Sequence, residues 1–302
     1  MMEIDIGAVA ALGGVALWLA PGVWRRQGKA GGRALAALAT VARLTELVAH
    51  IQQHRGMSGA WRSGDASFAS RLPAKQREVE AVLAALCGDA ALEEGERLPC
   101  FTAADVSGLQ AQWRELLAVL GRLSPEESFQ HHCRLLGEVL GWLAAVGEVR
   151  IAPVAAGAAP SDSVRKVVAD LPALAECLGQ ARALGSAVAA RGRCAPVARV
   201  RLHFLVSRAT ELLTRAAQGS AGAQARRPAE GFLLALRERM LLSASVDMDA
   251  ATCFRLGTEA VDAVYAWLAQ ERAALEHALQ SASAKAGSAD GWAAQQQARC
   301  RS

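Results

Sequence analysis

The sequence has little of what β structure and rigid loops require. Only 9 of its 302 residues are proline, and aromatic residues make up 5% of the chain, with a single tyrosine. Runs of alternating polar and apolar residues, which a half-buried strand would show, are hard to find. Alanine and leucine dominate instead, and both favour helices. The composition therefore predicts an all-α protein, long enough for one or two domains with a substantial core.

Paired cysteines are missing as well. The cysteines, at positions 87, 100, 133, 177, 194, 253 and 300, form no CxxC pair and show no metal-ligand spacing. Their odd number favours free thiols in a reducing compartment. His131 and His132 precede Cys133, but neighbouring side chains on a helix point about 100° apart, so no metal site is predicted there.

Signatures of catalysis and of nucleic-acid binding are also absent. The net charge is only +4, and the basic residues are spread along the chain, so no nucleic-acid partner is predicted. The chain has no glycine-rich phosphate loop, no nucleophile elbow and no HExxH motif. The acidic pair Glu93-Glu94 falls in a stretch, residues 88–99, that is predicted to be a solvated loop. The sequence predicts neither an enzyme nor a cofactor.

One long apolar run is present at the start of the chain. Residues 4–24 contain a single acid, Asp5, and the 19 residues from Ile6 to Trp24 carry no charge, which is close to the minimum for crossing a bilayer. A cluster of basic residues follows directly: Arg25, Arg26, Lys29 and Arg33. This pattern predicts a single-pass anchor in a bacterial inner membrane with the rest of the chain in the cytoplasm. A core helix is the alternative interpretation.

The remaining chain shows the 3.6-residue periodicity of about eight helices joined by short loops. Ser124-Pro125 followed by two acids is a strong helix start, and a Pro/Gly/Ala stretch at 152–160 suggests a break. We predict two up-and-down four-helix bundles after an N-terminal transmembrane helix. The predicted segments are the anchor and its basic flank (1–30), the first bundle (31–152), the second bundle (153–283) and a disordered tail (284–302).

The helix that ends near Arg62 departs from its own apolar pattern. Its apolar face repeats at helical spacing: Leu44, Leu47, Val48 and Ile51. Arg55 occupies the next position on this face, and the small residues Ser58 and Gly59 follow it. An arginine directed at a core needs an anionic partner, because an unpaired buried charge is very costly.

The same arrangement recurs about 127 residues later, at Arg182. It follows a stripe of leucines and precedes Gly185 and Ser186. Two such arginines, each beside small residues, suggest a polar pocket for a small anion. For Arg55, a buried salt bridge inside the protein is the alternative interpretation, with three candidate partners: Glu138, Glu148 and Glu211.

Three stretches resemble the nitrate- and nitrite-sensing (NIT) domain family. Residues 47–58, LVAHIQQHRGMS, look like the signature of its first helix. Residues 178–186, LGQARALGS, ending in Ala190-Arg191-Gly192, are similar to its mid-domain arginine helix. Residues 246–250, VDMDA, with Phe254, Thr258 and Asp262 downstream, look like its closing helices. The likeness extends over about residues 35–280.

The resemblance implies a helical domain that binds nitrate or nitrite through arginines and passes the signal to an output. By match, Arg55 and Arg182 carry over as anion ligands. Members often have a second arginine before the first-helix one, where this chain has His54. Ser58, Ser186, His54 and Arg191 are the further candidates for the site, and Arg237 and Arg239 are alternatives to Arg191 as its third arginine.

Family members usually carry an output module after the sensor, and here only about 20 residues remain. The expected function is therefore a nitrate or nitrite sensor that signals through a separate, unidentified protein. Homodimerisation is left open. The alternative is a membrane-anchored helical scaffold in which the arginines pair with internal acids and no small ligand binds.

Overall fold

The structure, a computed structural model, describes the backbone of residues 6–218, 222–243 and 245–299 and the side chains of residues 30–218, 222, 224, 226–243 and 245–285. Within this part of the chain it contains eight main helices and no strand, as predicted. The helices are α1 (Ile6–Arg62), α2 (Leu72–Glu94), α3 (Ala103–Val119), α4 (Pro125–Val146), α5 (Leu171–Ala190), α6 (Pro196–Ala216), α7 (Ala223–Leu236) and α8 (Ala250–Arg299).

Helices α1 to α4 form the first bundle, in which α1 packs against α2 and α4, and α3 closes the ring. The predicted start of α4 is confirmed. The Ser124 hydroxyl accepts a hydrogen bond from the Glu127 backbone N–H, the Glu127 carboxylate accepts one from the Ser124 backbone N–H, and Pro125 lies in the first turn. Thr102 and Asp105 form the same reciprocal cap at the start of α3.

The acidic stretch predicted to be a loop, residues 88–99, is a loop only over residues 95–99, and residues 88–94 are the last part of α2. The helix continues to Glu94, and Asp89 and Glu93 are buried in it. Arg43 of α1 forms an ion pair with Asp89, and Arg150 donates to Glu93 at 2.7 Å. The loop prediction failed over residues 88–94 because it took the acids there to be solvated, whereas Asp89 and Glu93 each have an arginine partner from another helix.

Helices α5 to α8 form the second bundle. A π-helical turn at Lys166–Asp170 leads into α5, just before Pro172, and another at Gly147–Ile151 follows α4, just before Pro153. A proline ring clashes with the carbonyl four residues earlier in a regular helix, and a wider turn relieves this clash. The helix around Pro172 is therefore widened into a π turn, and a short connection at 152–162 joins the bundles.

The two bundles share a long contact. Helix α8 packs along α5 within its own bundle and along α1 of the first bundle, so α1, α5 and α8 lie side by side. The start of α8 lies near the end of α1, since Tyr265 reaches Gln52, and Gly31 lies against Ser283 at the other end. Side chains from three helices can therefore meet at one place in the interior.

Two expectations concern the ends of the chain. The backbone of α8 continues to Arg299, into the tail that was expected to be disordered. The predicted membrane span, residues 4–24, lies outside the residues whose side chains are described. In the part of α1 with described side chains, Ala30–Arg62 is long and apolar enough to cross a membrane, but half of its apolar window is buried inside the protein, as in a core helix.

Candidate functional site

Arg55 lies in the core between the two bundles. Its guanidinium pairs with Glu176 of α5, with Nη1 to Oε1 at 2.5 Å and Nη2 to Oε2 at 3.1 Å. The two side chains are only 2% and 7% exposed. Nη1 also donates to the Cys133 thiol at 3.1 Å, and the guanidinium stacks on the Phe129 ring, both on α4. Burial acts to lower the pKa of Arg55, but Glu176 and Cys133 outweigh it and raise the pKa.

Glu176 is fully hydrogen-bonded. Besides the two bonds from Arg55, its Oε2 accepts from Gln52 Nε2 at 2.7 Å and its Oε1 accepts from Gln180 Nε2 at 2.8 Å. These four bonds use the acceptor capacity of both oxygens. Gln52 in turn accepts a hydrogen bond at 2.8 Å from the hydroxyl of Tyr265 on α8. One polar network therefore joins α1, α5 and α8.

Arg182 lies beside this network but has a different environment. Its Nη1 donates to the hydroxyl of Thr258 at 3.0 Å, and its guanidinium stacks on the Phe254 ring at 5.0 Å. Among the described residues no carboxylate lies within 4 Å of it. Burial lowers the pKa of Arg182, and the positive charge of Arg55 lowers it further. Arg182 is thus a half-buried cation that lacks an anionic partner.

Glycines allow the three helices to approach at the two arginines. A side chain at Gly179 would place its Cβ 3.1 Å from Arg55 Nη2, and one at Gly257 would come within 2.7 Å of the Arg182 stem. Gly56 faces Arg182 Nη2, since a Cβ there would lie 3.7 Å from it. Glycine at these positions therefore lets the guanidinium groups lie close to neighbouring backbone.

His54 and Ser58 are buried but do not contact Arg182. The His54 ring lies edge-on to Trp113 and 2.8 Å from His132, through Nδ1 and Nε2. Ser58 donates to the carbonyl of Arg55 at 3.1 Å. The His54 ring is fully buried, so water does not solvate it.

Ser186 and Arg191, two further residues predicted to belong to the site, follow Arg182 in the sequence and differ in burial. The Ser186 hydroxyl is buried and has no hydrogen bond of regular geometry among the described residues, although a weaker hydrogen-bonding contact with the Cys253 thiol acts to lower the pKa of that thiol. Arg191 is exposed at the helix end, nine residues or about 13 Å along the axis from Arg182. Arg237 and Arg239 are exposed as well.

Sequence reasoning missed the partners of the two arginines. The proposed partners of Arg55 were wrong: Glu138 accepts from Gln112, Glu211 pairs with Arg208, and Glu148 is exposed. Glu176 had a visible signal, because Asp170, Glu176 and Arg182 are the charged residues of an otherwise apolar stretch, residues 167–190, and are spaced by six. Tyr265 and Thr258 had no comparable signal, since their roles depend on how α8 packs.

Comparison with known proteins identifies the family. A family profile described as nitrate and nitrite sensing matches residues 46–298. The chain belongs to the nitrate and nitrite sensing (NIT) family. This membership supports a sensory or regulatory role rather than a catalytic one, and the matched region contains both Arg55 and Arg182.

Solved structures similar to this NIT chain include that of the NasR transcription antiterminator. The TM-score is 0.65 at 20% sequence identity, over 93% of this chain and 83% of that chain. At this identity the likeness shows that the fold is shared. No curated protein sequence matches the chain.

Proposed function

We propose that this chain senses nitrate or nitrite through a site formed by Arg55 of α1 and Arg182 of α5. The observation that supports this most strongly is the state of Arg182, a half-buried cation with no carboxylate within 4 Å among the described residues. An isolated charge in such a place is unfavourable, and a bound anion would compensate it. Membership of the NIT family supports the identity of the anion.

The chemistry of the two arginines suits a small planar anion. Nitrate and nitrite have delocalised charge in one plane, and a guanidinium presents its donors in a planar fork. Arg55 and Arg182 approach each other from two helices, and the hydroxyl of Thr258 lies beside Arg182. Ser186, whose buried hydroxyl has no hydrogen bond of regular geometry among the described residues, is a further candidate donor. We leave Arg191 out of the proposed ligand set because it is exposed at the helix end.

The proposed signal is a change in packing between the two bundles. An anion held by Arg55 and Arg182 draws α1 and α5 together, and α8 is tied to both by Tyr265 and Thr258. Binding therefore favours one of two packing arrangements, and a separate partner protein recognises it.

Thermal unfolding of the full chain in sulfate buffer tests the binding function. We expect nitrate or nitrite, but not chloride, to raise the midpoint saturably, because a ligand of the folded state adds about 2.7 kcal/mol at one hundred times its Kd. Arg182→Gln should abolish this response while leaving the midpoint without ligand nearly unchanged. Arg208→Gln, an exposed arginine of α6 paired with Glu211, is the matched control and should respond like the wild type.

A scaffold without a ligand is the second candidate, and the Arg55–Glu176 pair favours it, since this arginine already has an internal partner. The scaffold predicts that each arginine stabilises the fold and that no anion changes the midpoint. A well-folded protein with a flat response to nitrate, nitrite and chloride would therefore establish the scaffold and reject the sensor.

We also propose that residues 4–24 anchor the chain in a bacterial inner membrane with the sensor in the cytoplasm. The support is the uncharged run from Ile6 to Trp24, followed by Arg25 and Arg26. We expect the full chain to stay in the membrane fraction after alkaline carbonate extraction. Replacing Leu12 and Val15 by arginine should release it, because each central arginine costs about 2.5–3.5 kcal/mol on insertion.

The orientation of the chain in the membrane is tested by a separate labelling experiment. Cys87 is exposed on α2, so a membrane-impermeant maleimide should label it in permeabilised but not in intact cells. Labelling of Cys87 in intact cells would reverse the topology. Extraction of the wild-type chain by carbonate would reject the anchor altogether.

A further inference from the structure

The buried charges at the proposed site do not cancel. Arg55 and Arg182 each carry one positive charge, and Glu176 is the one carboxylate within 4 Å of either guanidinium in the described part of the chain. Asp262, more than 4 Å away, acts to raise the pKa of Arg182 more than Glu176 does, but its side chain is exposed, so it does not count among the buried charges. The buried site therefore has a net charge of about +1, which is the sum of two cations and one anion.

Glu176 is also fixed in place. Its four hydrogen bonds come from Arg55, Gln52 and Gln180. If an incoming anion displaced it from Arg55, a buried carboxylate would lose its counter-ion, which costs several kcal/mol. The favourable route is for the anion to bind the remaining donors of Arg55 and the free donors of Arg182, with Glu176 staying where it is.

We propose that Glu176 sets the charge of the site and thereby makes it selective for a monovalent anion over a divalent oxyanion such as sulfate. This inference rests on the proposed function, since it names the residue that determines the valence of the ligand. One monovalent anion brings the buried charge to zero. A divalent anion would leave a net negative charge beside Glu176 in a medium of low dielectric constant, and it loses more hydration on entry.

Glu176→Gln tests this directly, because it removes one charge and keeps the size of the side chain. The expected result is a site of charge +2 that binds sulfate. The measurement is thermal unfolding of the full chain, in a buffer of a large organic sulfonate, with added sodium sulfate. The sulfate concentration that raises the midpoint of Glu176→Gln should be at least about tenfold lower than the concentration that raises the midpoint of the wild type. A unit charge a few ångströms away changes binding by more than this factor at an effective dielectric constant near 20.

A second pair of variants alters the charge of the site in the opposite direction at Thr258, a half-buried position. Thr258→Asp places a carboxylate next to Arg182 and brings the site to zero charge, whereas Thr258→Asn has nearly the same size and no charge. Thr258→Asp should weaken the response to nitrate by at least about tenfold more than Thr258→Asn does, because only the aspartate adds a charge beside Arg182. These two variants test whether the buried charge determines anion binding even if Glu176→Gln does not fold.

The outcomes separate this inference from the proposed function. If the wild type responds to nitrate but Glu176→Gln gains no response to sulfate, the charge-setting role of Glu176 is overturned and the sensor stands. The same conclusion follows if Thr258→Asp binds nitrate as well as Thr258→Asn does. If the wild type ignores nitrate and nitrite but Glu176→Gln responds to sulfate, the role of Glu176 stands and the sensor fails. If no variant responds to any of these salts, both are overturned.

Discussion

Replacing Arg55 by methionine is expected to lower the free energy of unfolding by about 3–5 kcal/mol. The substitution keeps an unbranched apolar side chain in the core but strands the Glu176 carboxylate, which is 7% exposed and would retain only its amide donors. Arg182→Gln should change the same quantity by less than about 1 kcal/mol, because no buried carboxylate loses its partner. Urea unfolding of the full chain, followed by circular dichroism without added nitrate, measures both.

The double variant Arg55→Met/Glu176→Leu is the control for this explanation. Replacing a buried ion pair by apolar residues of similar volume is often neutral or stabilising. We therefore expect the double variant to recover most of the loss caused by Arg55→Met. If the double variant is as unstable as the single one, the loss comes from packing against Phe129 and Cys133, and the stranded carboxylate is not its cause.

The two arginines that the sequence presents as equivalent thus have different physical roles. Arg55 is held by Glu176 and organises the contact of α1 with α5 whether or not a ligand is bound. Within the part of the chain that the structure describes, the guanidinium of Arg182 donates to one hydroxyl and lies over an aromatic ring without a carboxylate beside it, so its charge is available to an incoming anion. A site of this kind can be stable without its ligand and still gain from binding it, which a sensor requires.

The sequence was sufficient to predict the fold class and the inward placement of the two arginines, because both depend on local periodicity. The spacing of leucines predicts the helices. Arg55 and Arg182 can be recognised because each occupies a position where the pattern predicts an apolar residue. The start of α4 at Ser124 was predictable for the same reason, since a reciprocal cap involves residues three apart.

What the sequence did not reveal depends on contacts between distant helices. Glu176 lies 121 residues from Arg55, and Tyr265 lies 213 residues from Gln52. The pairing of Asp89 with Arg43 and of Glu93 with Arg150 likewise turned a predicted loop into a buried helix end. Charge complementarity between helices decides these positions, and periodicity within one helix carries no information about it.

Acid is expected to destabilise the protein through the two buried histidines next to the site. His132 Nδ1 lies 2.6 Å from the carbonyl oxygen of Ser128, which can only accept, so this nitrogen carries the proton. His132 Nε2 is then an acceptor, and His54 Nδ1 donates to it at 2.8 Å. The pair is therefore hydrogen-bonded in its neutral form. Burial lowers the pKa of His54 to about 4 and that of His132 to about 3.

The direction of the pH dependence follows from these shifts. Between pH about 4 and about 6.5, the unfolded chain binds protons at both histidines and the folded protein does not, so the free energy of unfolding falls as the pH is lowered. Each histidine contributes about 1.4 kcal/mol per pH unit in this window, and the pair about 2.7. Carboxylates whose pKa is lowered, such as Glu93, add to the loss only nearer pH 4.5 and below.

Urea unfolding at half-unit steps from pH 7.5 to pH 5 measures this slope. His54→Gln keeps an amide that can donate to His132 and should reduce the slope by about half, since one titrating group remains. His203→Gln, at an exposed position on α6, is the matched control and should leave the slope unchanged. A His54→Gln variant with the wild-type slope would show that the protons bind elsewhere, and that the His54–His132 pair is not the acid-sensitive element beside Arg55.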